Sequence, residues 1–183
     1  MASTTSRIVT YEEWLNMPGS EGKEEVVDGE IITMPLNKWN HAEIVDELHA
    51  ILLLQLDRKV FRVTSSVWGL VIRKDPFTCR NPDLAVFVRK GIIEQDGYIF
   101  SPPELLVEVL SPSNTRKDMV RKTADYESIG VPELWILSPE GQTFEIFQLE
   151  NGKLNRTQVL ADGQLRPLRF PEAVVDVASV WPD

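Results

Sequence analysis

Some ionisable residues of this chain stand where their neighbours argue against charge. Glu108 lies in Leu105-Leu106-Val107-Glu108-Val109-Leu110, an apolar run with valine on both sides of the acid. An unpaired carboxylate buried there costs several kcal/mol or takes up a proton, so a bound cation, a basic partner or a place at the open end of the strand must compensate it. A half-exposed strand that turns Glu108 to solvent is the plainer arrangement. Asp83 follows Pro82 and immediately precedes Leu84-Ala85-Val86-Phe87-Val88. Proline is tolerated at the first residue of a strand, so Pro82-Asp83 puts a carboxylate where the chain enters a sheet. A turn aspartate fits the same dipeptide. Lys122 shares a helical face with Tyr126, one turn after Asp118, and either reaches inward with Tyr126 or pairs with Asp118 at the surface.

The elements that must position these residues are legible from period and turn chemistry. Residues 24–34 read as a β-hairpin about Asp28-Gly29, and Thr10 with Glu13 marks a short capped helix ahead of it. Ile44, Val45, Leu48, Ile51, Leu52 and Leu56 recur at the spacing of one buried helix face, which predicts a helix over residues 41–56. Residues 61–72 suit one or two strands with a break near Ser65-Ser66. The short apolar runs at 84–88 and 105–110 suit central strands covered on both faces. Ser113-Asn114-Thr115, with Asp118 and the closing Gly130, frames a helix over 115–129. Leu134 to Leu137 reads as another buried strand, and a second hairpin turns at Asn151-Gly152. Residues 170–181 mix valine with acidic residues and carry no clear pattern. The order implies an α/β core of mixed sheet, with β-hairpins added at both ends.

Composition bounds the rest. With 183 residues, 43% hydrophobic and 26% charged, the chain is expected to form a single domain over 1–183 with one core. No apolar run approaches the length of a membrane span, and the first residues lack a secretory apolar core, so a cytoplasmic, membrane-free protein is expected. Cys79 is the only cysteine, which rules out an intrachain disulfide and a thiolate zinc cluster. The formal net charge of −9 argues against a general nucleic-acid coat, although a local basic strip beside metal-binding carboxylates is compatible with it.

Several segments together resemble a known family. Glu25-Val26-Val27-Asp28-Gly29-Glu30-Ile31, His41 at a helix start, Pro82-Asp83 and Leu105 to Ser113 occur in its order, followed by Lys122 with Tyr126 and by Gly130-Val131-Pro132-Glu133-Leu134-Trp135. This pattern is similar to the Uma-two-like restriction endonucleases of the PD-(D/E)xK nuclease superfamily. The resemblance implies a restriction-endonuclease-like mixed sheet flanked by helices, with Mg²⁺ (or Mn²⁺) held by Asp83 and Glu108. Those two match the motif acids. The superfamily's usual lysine would fall two residues after Glu108, where this chain has Leu110; Lys122 on the following helix takes that place by analogy. Glu25, His41 and Tyr126 fall on accessory positions of the pattern. Such an ion would polarise a phosphoryl oxygen and acidify an attacking water, while Lys122 meets negative charge developing on the phosphate.

The implied function is a Mg²⁺-dependent endonuclease acting on DNA, as a homodimer where both strands are cut. Two other readings compete with it. One is a degenerate nuclease fold serving as a nucleic-acid-binding or protein-interaction module, which exposed Trp39 and Trp68 would favour, as would a basic cluster of Arg116, Lys117 and Arg121. The other is a purely structural ion pair between Glu108 and Lys122.

Overall fold

Ile44, Val45, Leu48 and Leu52 are all buried, and the helix that carries them covers one face of a sheet. The computed structural model describes residues 8–18, 23–65, 68–112 and 115–182. Its elements run α1 (Tyr11–Leu15), β1 (Glu24–Val27), β2 (Glu30–Thr33), α2 (Trp39–Gln55), β3 (Phe61–Ser65), β4 (Leu70–Lys74), β5 (Phe77–Arg80) and β6 (Leu84–Val88). They continue with β7 (Glu94–Gln95), β8 (Tyr98–Ile99), β9 (Leu105–Val109), α3 (Arg116–Ser128), β10 (Glu133–Ser138), β11 (Thr143–Glu150), β12 (Lys153–Leu160), β13 (Gln164–Leu165) and β14 (Val175–Asp176).

The expected mixed sheet flanked by helices is present, in the order β12-β11-β10-β9-β6-β3. Its β9 and β10 are parallel, and β6 is antiparallel to both β9 and β3. The crossover from β9 to β10 is α3. Strand alternation divides β9 between two apolar clusters. Leu105, Val107 and Val109 pack with the α2 side, whereas Leu106 packs on the opposite face with Tyr126, Val131 and Leu134. Glu108 has the parity of Leu106, so the pleat itself aims it at α3 rather than at α2.

The N-terminal hairpin is more than an addition to that sheet. β1 and β2 belong to a second six-stranded sheet, in the order β2-β1-β5-β4-β8-β7. Val26 of β1 pairs with Cys79 of β5. The strand that makes this possible, Phe77-Thr78-Cys79-Arg80, has no alternation to betray it because all its residues are buried. The C-terminal hairpin does extend the main sheet, through β11 against β10. Asn151 and Gly152 both take positive φ, 52° and 76°, as its two-residue turn requires. The expectation of one core needs correction: among the described residues the buried apolar side chains form three clusters, the third between α1 and the second sheet around Tyr11, Val26, Val71 and Phe77.

Local readings of the helices hold. Thr10 and Thr115 each make a capping box, with Glu13 and Asp118. Ser113 and Asn114 lie outside the described residues, as does Ser66 at the β3 break. Because Asp118 is engaged by the cap of α3, its side chain is not the partner of Lys122. No described helix is long and apolar enough to cross a membrane.

Candidate functional site

The pleat that turns Glu108 toward α3 brings it to Lys122 and Tyr126, which sit one helical turn apart on the buried side of that helix. Lys122 Nζ donates to Glu108 Oε2 at 3.0 Å, and the Tyr126 hydroxyl donates to Glu108 Oε1. The same ammonium lies 3.0 Å from Glu25 Oε1, an oxygen supplied by β1 of the second sheet. Lys122 therefore bridges two carboxylates from two sheets, with the side chains of all three no more than 5% exposed. Burial alone would strip its proton, but Glu108 and Glu25 outweigh burial and hold the ammonium above the ordinary lysine range.

Asp83 occupies the neighbouring position at the mouth of β6. Its Oδ2 accepts the Val109 backbone N–H at 2.9 Å, which ties it to the end of β9 beside Glu108. Lys23 Nζ donates to Oδ1 at 3.1 Å, and His41 Nε2 lies 3.2 Å from Oδ2. Burial opposes ionisation, yet the His41 hydrogen bond, the Lys23 charge and the Val109 N–H bring its carboxyl down to about 2. Glu108 moves the other way. Complete burial, with the nearby Asp83 and Glu25 charges, outweighs Lys122 and the Tyr126 hydroxyl and pushes its carboxyl up.

Behind these groups runs an ion network that sequence reasoning missed. Arg80 Nε and Nη2 both donate to Asp125 Oδ2, at 2.9 and 2.6 Å, and Nη1 donates to Glu25 Oε2 at 2.8 Å. Arg73 continues the chain from Asp125 at 3.1 Å to Asp28, which Arg121 also contacts. Only Asp125 left a signal: three residues after Lys122, it shares the helix face already marked as inward. Arg80 and Lys23 have no local pattern that points to them.

The structure thus brings Glu25, His41, Asp83, Glu108, Lys122 and Tyr126 together, with Glu25 joined through Lys122 and Arg80. Of the surface features, Trp39 is exposed, whereas Trp68 is half-buried with its ring edge on Phe87. Arg116, Lys117 and Arg121 are exposed on α3. A cleft of about 1300 Å³ opens alongside, lined by Lys23, His41, Met119 and Thr123 among others. Asp83, Glu108 and Lys122 do not line it themselves; Lys23 and His41 connect it to Asp83.

Among the described residues, no group of three or more His, Cys, Asp or Glu side chains is disposed to hold a metal ion. The donor set of Asp83 and Glu108 still fits a hard dication whose shell water completes. The proton affinity of Glu108 is raised first by burial and then by the Asp83 and Glu25 charges, and a dication beside it would offset both. His41 Nδ1 is buried without a hydrogen-bond partner, so the polar lining beside Asp83 is not fully satisfied by protein groups.

A family model described as "Putative restriction endonuclease", Uma2, matches residues 10–178. A crystal structure of a "putative nuclease belonging to DUF820" from Anabaena variabilis superposes with a TM-score of 0.78 at 20% identity, covering 94% of this chain and 97% of that one. At that identity the likeness is one of fold. No curated protein matches the sequence.

Proposed function

The chain belongs to the Uma2 restriction-endonuclease-like family, and from that premise we propose that it hydrolyses phosphodiester bonds of DNA with Mg²⁺ or Mn²⁺ held by Asp83 and Glu108. The observation that carries this reading is the convergence of two buried carboxylates of opposite pKa displacement, Asp83 tied to the end of β9 beside Glu108, with a lysine that Glu108 and Glu25 keep charged. Separated proton affinities in one small volume are a mark of functional sites.

The chemistry such an ion supplies is polarisation of a phosphoryl oxygen and acidification of a water. The chain's own residues do the rest. Lys122 has three N–H donors, of which Glu25 and Glu108 take up two; the remaining one meets charge that develops on a non-bridging phosphate oxygen. Glu25 and Tyr126 fix the lysine and Glu108 in place. His41 and Lys23 stand at the cleft, where Lys23, with a side chain 16% exposed, can leave Asp83 for a phosphate.

One chain carries one such centre. Cutting both strands of a duplex in one encounter favours a homodimer, whereas nicking one strand asks for a single centre; sedimentation of the active enzyme gives the oligomeric state. We place this activity in the cytoplasm, where Mg²⁺ and nucleic acid meet.

One observation favours a second reading. Both oxygens of Asp83 and both of Glu108 already face protein donors, which is what a degenerate, binding-only site or a structural ion pair would also show. The test is cleavage of supercoiled and single-stranded DNA with Mn²⁺ or Mg²⁺, compared with EDTA and with Lys122→Ala. Cleavage abolished by EDTA and lowered at least about tenfold in the variant supports catalysis. Metal binding by calorimetry without cleavage transfers the conclusion to the binding module, and absence of both to the structural pair.

A further inference from the structure

The cleft beside Asp83 has an odd balance of surfaces. Its exposed cations are Lys38, which precedes α2, Arg116 in the first turn of α3, and Arg156 of β12. Lys23 is drawn to Asp83, and Arg156 is paired with Glu145 at 2.7 Å. Glu140 and Glu145 also line the cleft, and the chain as a whole carries −9. A protein that holds duplex strongly through counterion release makes several phosphate contacts, on the order of 6–10 in a salt-sensitive binder. Lys38, Arg116 and a displaced Lys23 fall well short of that.

The walls offer apolar surface in compensation. Leu36 is 91% exposed and Val120 64% exposed, and both line the cleft with Phe147. Trp39, 78% exposed, is not part of the wall but stands at its edge, between Lys38 and Asn40, which do line the cleft. Large apolar side chains left uncovered around a cationic rim mark a binding surface rather than a solvated one. In a paired duplex the base faces are stacked away, so such walls would gain little. In an unpaired strand every base presents a face to an aromatic or aliphatic side chain while its phosphates track the cations.

We propose that the cleft takes an unpaired nucleic-acid strand, with phosphates on Lys38 and Arg116 and bases against Trp39, Leu36 and Val120. This rests on the nuclease reading and narrows it to single-stranded segments, frayed ends or branches. A volume of about 1300 Å³ exceeds that of a drug-sized pocket, as a strand of more than one nucleotide requires.

The test is fluorescence anisotropy with the full chain and labelled single-stranded DNA, single-stranded RNA and blunt duplex of one sequence, with Ca²⁺ in place of Mg²⁺. Single-stranded DNA should bind at least about tenfold tighter than duplex, with a shallow log–log salt slope of about −2, the mark of a few phosphate contacts. Trp39→Ala and Val120→Asp change exposed side chains, so their thermal melting should match wild type while strand binding weakens at least about tenfold. Duplex binding as tight as single-strand binding, or unaltered binding in both variants, overturns the inference and leaves the nuclease reading standing. Tightest binding by RNA keeps the unpaired strand and overturns the DNA substrate. Binding to none of the probes overturns both.

Discussion

Two neighbouring ion clusters, a sealed end and a cleft end of one site, use the same residue types to different purpose. At the sealed end, Glu25, Arg80 and Asp125 have side chains 2–7% exposed, and the guanidinium's fork meets both acids with hydrogen bonds of 2.6–2.9 Å. At the cleft end, Asp83 is held by a partly exposed lysine, a histidine and one backbone N–H. The planar, always-charged fork of arginine suits permanent pairing, whereas an ammonium on a flexible stem can be exchanged for a ligand. Lys122 shares Glu25 with Arg80 of the sealed end, and its other carboxylate, Glu108, stands on β9 beside the backbone N–H that holds Asp83. The contrast teaches that burial of charge is not itself the mark of a site; what distinguishes the cleft end is replaceable partners.

Removal of Arg80 should break the comparison most. Arg80→Met leaves Glu25 and Asp125 buried without their shared cation, so about 3–5 kcal/mol of stability should be lost. Urea unfolding measures it, and a loss below about 1 kcal/mol would mean the sealed end is not structural.

Asp83→Asn should cost less stability and all of the cleavage. The depressed carboxyl, about 2 against 3.8 unfolded, corresponds to about 2 kcal/mol at neutral pH. A lowered folded pKa gives stability that is present above about pH 4 and lost as pH falls toward about 2, so the wild type should show this loss and the asparagine variant should not. Glu108 carries the opposite sign. Its raised carboxyl favours the folded state at acid pH, and that contribution disappears as pH rises through the folded value, so Glu108→Gln should flatten the same stability profile above the ordinary carboxylate range.

The smallest stability effect should come from Lys23→Ala. Removing a partly exposed partner of Asp83 should lower stability by about 1 kcal/mol or less, while DNA affinity falls several-fold in the anisotropy assay. Equal sensitivity of stability at Lys23 and Arg80 would erase the distinction between the two ends.

What the sequence by itself determined is the local and periodic part of this protein. The face of α2, the capping boxes at Thr10 and Thr115, and the turns at Asp28-Gly29 and Asn151-Gly152 follow from helix period, side-chain caps and φ > 0, each written within a few residues. Glu108 and Asp83 were conspicuous because a charge within or beside an apolar strand is anomalous without any fold, whereas the helical face that Lys122 shares with Tyr126 left an inward reach and a surface pair with Asp118 both open. Tertiary structure alone decided their partners. Val26 meets Cys79 across a second sheet, Glu25 reaches Arg80 and Lys122, and Lys23 reaches Asp83. Arg80 lies in a strand buried on both faces and so carries no period. An ion pair rewards proximity in space and is indifferent to separation along the chain, and so the network that binds the two sheets had no local signature to read.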